Sequence, residues 1–111
     1  MYANEINEIA HTLLDKSFGG TYALDCLPQY IPKNSSIIVN THTKSLPGEH
    51  WIAVYRSGQS YKVFDPLGFY YPSKLMAYLH EHGRVEYNDV HYQAIDSRLC
   101  GHYCLLWLSN Q

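Results

Sequence analysis

Two short apolar runs, Trp51 to Tyr55 and Tyr61 to Phe64, flank a segment from Arg56 to Ser60 that contains Ser-Gly-Gln-Ser, which is turn chemistry. Runs of this length, rich in aromatic and β-branched residues, predict two antiparallel strands joined as a hairpin. A paired hairpin decides what stands at its open end. His50 precedes the first run and Asp65 follows the second. Neighbouring strands sit about 5 Å apart, so pairing brings an imidazole and a carboxylate within hydrogen-bond reach. The carboxylate would then orient the ring and stabilise its protonated form, as in any pairing of a base with an orienting acid.

The other segments supply what a hairpin needs to be covered. Ile6, Ile9, Ala10, Leu13 and Leu14 recur at helical spacing and predict an amphipathic helix from about Asn4 to Lys16, stopped by Gly19 and Gly20. Thr21 to Lys33 reads as a loop with two prolines, in which Cys26 is a packed small residue. Ile37 to Val39 is a short apolar strand, followed by a polar loop from Asn40 to Gly48. A second helix is expected from Pro72 to His82, with Leu75, Met76 and Leu79 inward and Gly83 at its end, and then a partly alternating strand from Val85 to Tyr92. A last helix opens at or just before Cys100. The order helix, strand, hairpin, helix, strand, helix argues for an α+β domain in which a small, mostly antiparallel sheet is flanked by helices.

Composition narrows the class of function. The 111 residues make one domain, 1–111, with 46% apolar side chains to fill its core. Eight basic against ten acidic side chains give a net charge of -2, which does not indicate nucleic-acid or membrane-surface binding. No apolar run approaches a bilayer span and no signal-peptide layout opens the chain, so the expectation is a soluble protein of an intracellular, reducing compartment. Three cysteines, Cys26, Cys100 and Cys104, are an odd number and favour free thiols over a disulfide framework. Eleven tyrosines are many for this length. They serve as amphipathic residues at the edge of the core, or line a peptide groove.

The segment Gln93 to Trp107 carries the remaining chemistry. Asp96 and Ser97 are good N-cap residues, and Leu99, Tyr103, Leu106 and Trp107 follow at helical spacing. This puts the Cys100 thiol at a helix N-terminus, where unpaired N–H groups and the macrodipole favour the thiolate that attacks carbonyl carbon. A lone intracellular cysteine on an apolar helix is more often a small buried hydrophobe, the role expected of Cys104 one turn on. What changes the balance at Cys100 is the company of His50 and Asp65. A metal site from Cys100, His102 and Cys104 with His91 is disfavoured, because helix residues two apart point away from each other. No cofactor is expected.

These pieces, taken in order, resemble the adenain type of cysteine protease, the adenovirus maturation protease family, and more distantly the proteases of ubiquitin-like proteins. The resemblance rests on Gly20-Thr21-Tyr22, Ile38-Val39-Asn40-Thr41, His50-Trp51, the Phe-Asp-Pro-Leu-Gly-Phe of residues 64–69, and Gln93 seven residues ahead of Cys100-Gly101. It implies a papain-like, adenain-like core in which Cys100 is the nucleophile and His50 the general base and then acid. Asp65 is the orienter where the family commonly has glutamate, and the Gln93 amide is an oxyanion-hole donor. Such a donor is typically worth about 3–4 kcal/mol of transition-state stabilisation. Trp51 and Gly101 are the substrate-side candidates. Trp51 either shields the imidazole–acid pair or only packs, and Gly101 leaves space for a substrate backbone or for a close helix–strand approach.

The implied activity is cleavage of viral or virus-like precursor proteins, such as capsid precursors, at small or glycine-containing sites, in a virion or host nucleus if the source is viral. The family continues past the cysteine helix, so this chain reads as a minimal member, a protease of a virus-like element or a truncated form. The adenovirus enzyme is activated by a capsid-derived peptide and by DNA. The peptide's cysteine partner has no clear match here and no basic patch stands out, so neither is carried over, although an activating peptide stays a candidate partner. Two alternatives share the fold. One is a protease or isopeptidase for ubiquitin-like tails, which would cut after a C-terminal Gly-Gly. The other is a binding module on an inactive protease fold, disfavoured because all four catalytic positions hold competent side chains.

Overall fold

Burial along the strands explains the layering. A computed structural model describes residues 3–14, 17–40, 50–66, 71–87 and 100–111. Among them, β1 (Phe18–Ala23), β2 (Ser36–Asn40), β3 (Trp51–Ser57), β4 (Ser60–Phe64) and β5 (Arg84–Tyr87) form one sheet in the order β1-β2-β3-β4-β5. The near-continuous apolar runs of β2 and β3 are buried on both faces, which only interior strands of a covered sheet can be. β5 alternates exposed and half-buried residues, as suits an edge.

Helices α1 (Ala3–Leu13) and α3 (Cys100–Ser109) cover one face, and α2 (Ser73–His80) lies on the other. On the first face Ile6, Ala10 and Leu14 meet Cys104, Leu105 and Leu108 over Ile38, Trp51, Ala53 and Phe64. On the second, Leu75 and Leu79 pack with Ile31 on Ile37, Val39, Ile52, Val54, Tyr61 and Val63. The alternation of odd and even positions along β2, β3 and β4 sends successive side chains to these two clusters. Each fully buried side chain of this size contributes about 1.5–3 kcal/mol. The result is a compact α+β fold, and no helix among the described residues is long and apolar enough to cross a membrane.

The hairpin forms as expected, with a tighter turn. β3 and β4 pair antiparallel from Ala53↔Phe64 to Ser57↔Ser60, leaving Gly58 and Gln59 as the turn, with Gly58 at φ 61°. The Arg56 guanidinium secures this end by donating to the Gly58 and Ile31 carbonyls at 2.8 and 2.6 Å.

Several expectations are corrected. The sheet is mixed: β2–β3 and β3–β4 are antiparallel, but β1–β2 and β4–β5 are parallel. The parallel β4–β5 pair follows from the α2 crossover, since parallel strands need a connection long enough to hold a helix. β1 lies where a helix stop and a loop were expected. Its Gly19 and Gly20 accompany an irregular register between Phe18 and Thr21, with Gly20 at φ 115°, the role glycine takes at a strand bulge. Cys26, in a short 3-10 turn at Leu24–Cys26, is exposed. Ile9 and Leu13 of α1 are also exposed, as is Leu106 of α3. Helix α1 ends earlier than Lys16, and α2 is shorter at both ends than Pro72 to His82. Gly83 is required by contact: a Cβ there would run into the Gln59 carbonyl oxygen, to which the Arg84 N–H donates. Residues 88–92 of the expected last strand and the 41–48 part of the polar loop lie outside the described residues.

Candidate functional site

His50 and Asp65 meet at the open end of the hairpin. Continuing the β3–β4 register by one residue places Asp65 opposite Ile52, so His50 is its diagonal neighbour on the same face of the sheet. Side chains of this length close that diagonal, and His50 Nε2 stands 2.8 Å from Asp65 Oδ1. Nε2 lies at ion-pair distance from Oδ1, without the alignment of a linear hydrogen bond. His50 is 5% exposed and Asp65 is fully buried.

Burial gives the pair its meaning. A carboxylate taken out of water costs several kcal/mol, and pairing rarely recovers more than that cost, so a buried ion pair is poor evidence for a stabilising device. Apolar side chains of similar volume would fill the same space more cheaply.

Helix α3 reaches this end of the sheet. The Cys104 thiol donates to the Trp51 carbonyl at 3.2 Å, and the Trp107 ring stacks on Phe64 at 5.2 Å with a 6° interplanar angle. Trp51 opens β3, while Phe64 is paired with Ala53 two residues further along it. The Cys104 contact thus seats α3 against the first residue of β3, next in chain to His50, and Cys100 opens the same helix one turn before Cys104. The Cys100 side chain, Gln93 and the N-cap candidates Asp96 and Ser97 lie outside the described residues.

The remaining site candidates are placed as follows. Trp51 is 2% exposed and packs in the core beneath α3, so of the two roles weighed for it the structure displays packing. Gly101 is buried in the first turn of α3. Cys104 is fully buried, as expected of a core thiol, but its hydrogen bond to Trp51 was invisible in the sequence, where only its spacing of four from Cys100 was a signal. Among the described residues no cluster of three or more histidine, cysteine or acidic side chains forms a metal-binding group. An open cavity of about 130 Å³ between Phe64, Tyr103, Leu106, Trp107 and Asn110 is mainly apolar and lies further along α3.

No family model matches this sequence, and no curated protein matches it.

Proposed function

We propose that this chain is a cysteine endopeptidase with a papain-like, adenain-like core, in which Cys100 attacks the scissile carbonyl, His50 moves the proton and Asp65 orients His50. The observation that carries the reading is the buried His50–Asp65 pair, 2.8 Å apart, and the opening of α3 on Cys100 is consistent with it. With Nε2 turned to the acid, Nδ1 is the ring nitrogen that serves the thiol. The acid fixes the ring's orientation and favours imidazolium, which in turn favours thiolate.

The chemistry follows from these roles. The thiolate sulfur forms a bond to the carbonyl carbon, and the carbonyl π pair moves to oxygen, where the Cys100 N–H and the Gln93 amide are the proposed donors. Collapse of this intermediate breaks the C–N bond, and the imidazolium gives its proton to the departing amine. Water then attacks the thioester while His50 takes its proton. Breaking of the C–S bond releases the carboxyl product and restores the thiolate–imidazolium pair.

The proposed substrates are viral or virus-like precursor proteins cut at small or glycine-containing sites. The test is hydrolysis of glycine-rich fluorogenic peptides beside a ubiquitin-like precursor, with Cys100→Ala as control. Cleavage after small residues that disappears in Cys100→Ala is the expected result. Cleavage that survives Cys100→Ala overturns the reading, and cleavage confined to the ubiquitin-like Gly-Gly tail replaces its substrate class.

A further inference from the structure

We infer that Cys104 is a positioning residue for this thiol chemistry, an inference that rests on the peptidase reading of Cys100, His50 and Asp65. The cysteine helix is fastened to the sheet by consecutive turns, and each fastening falls on the chain neighbour of a site residue. Cys104 Sγ donates to the carbonyl of Trp51, the residue after His50. The Trp107 ring stacks on Phe64, the residue before Asp65. The two contacts set how far α3 slides and rotates relative to the hairpin, and both involve buried or half-buried side chains.

The Cys104 contact bears more directly on the nucleophile. A thiol is a weak donor, yet this one is fully buried, where no water competes for the Trp51 carbonyl. Cys100 lies one turn back along the same helix face, and a helical turn is stiff, so a displacement at Cys104 reaches Cys100 nearly undiminished. The demand at the site is strict: thiol and imidazole must meet at hydrogen-bond distance, and an error of 1 Å in such a geometry costs about 10²-fold in rate. Cysteine suits the position because it packs as a small apolar side chain and still donates. Both alanine and serine lose bulk; alanine also loses the donor, whereas serine keeps one.

The experiment compares Cys104→Ala, Cys104→Ser and wild type in the full chain. It follows the pH dependence of iodoacetamide alkylation at Cys100, located by mass spectrometry, with kcat and KM on a glycine-rich peptide and the unfolding temperature measured alongside. In Cys104→Ala, alkylation of Cys100 at pH 5.5 should fall about tenfold, its pH profile should move toward that of an ordinary thiol, and kcat should fall with KM unchanged. Cys104→Ser should restore the profile to within about threefold of wild type, although its unfolding temperature, like that of Cys104→Ala, drops with the lost bulk. Trp107→Leu provides an independent arm should Cys104→Ala not fold, and should move the profile in the same direction. Variants that lose unfolding temperature while the wild-type profile stays put show packing alone and overturn the inference. A wild-type Cys100 whose alkylation does not respond to His50→Ala overturns the peptidase reading itself and this inference with it.

Discussion

Among the described residues, the open end of the hairpin and the C-terminal end of α2 both hold histidines against oxygen atoms, and they differ in what surrounds them. At the open end of the hairpin, His50 and Asp65 are buried together 2.8 Å apart. At the C-terminal end of α2, the exposed His80 has Nε2 3.0 Å from the Tyr87 hydroxyl, and His82 Nδ1 donates to the Tyr78 carbonyl at 2.7 Å. The second region closes hydrogen bonds at the rim of the α2 layer, where water would serve each group nearly as well. In the first, both groups are buried, and removing either would leave the other without the partner it is packed against. Histidine content alone is thus uninformative, and burial with a carboxylate is what sets the His50 region apart from the α2 rim.

The largest effect that would break this contrast is on activity. His50→Ala should lower peptide hydrolysis by about 10²–10⁴-fold, the span of general acid–base catalysis, whereas His80→Ala should leave it unchanged. Equal losses in assays of both variants would remove the distinction.

Asp65 comes next. Asp65→Ala leaves a buried imidazole without its acid and should cost about 3–5 kcal/mol in urea unfolding. Asp65→Asn keeps the shape and removes the charge, so it should lower the rate substantially, while Asp65→Glu should retain much of it. Equal losses of rate in Asn and Glu would deny Asp65 the orienting role.

The α2 region should instead speak at high pH. Burial, reinforced by Tyr61 and Tyr22, pushes the Tyr78 hydroxyl up to about 12, and it donates to the Pro28 carbonyl at 2.7 Å. The folded state holds this proton more tightly than the unfolded chain does. Its contribution is therefore fully present below about pH 10 and is lost as pH rises to about 12. Unfolding followed against pH should show that decline, flattened in Tyr78→Phe, and an unchanged slope in the variant would refute the assignment. The smallest effect belongs to Tyr87→Phe, which keeps the ring packed on Tyr71 and loses only the bond to His80, at about 0.5–1 kcal/mol or less by chemical denaturation.

The sequence by itself determined the elements whose signals are local. Strand β2, the β3–β4 hairpin, and helices α1, α2 and α3 follow from apolar spacing and turn residues. The juxtaposition of His50 and Asp65 followed too, because a hairpin's pairing dictates what stands at its ends. It did not determine β1, since two glycines carry no strand propensity: Gly19 is there for the close approach of Ser36 on β2, and Gly20 for its positive φ at the bulge. Nor did it fix the parallel pairings at both sheet edges, which depend on where crossovers return. Tertiary packing chose which apolar residues are buried: Ile6, Ala10 and Leu14 face α3, while Ile9 and Leu13, on the same predicted stripe, do not. The Cys104 contact with Trp51 spans 53 residues of chain and no spacing rule reaches that far. A helix and a hairpin each form from local rules, but how one registers against the other is decided by side chains that meet only when both are in place.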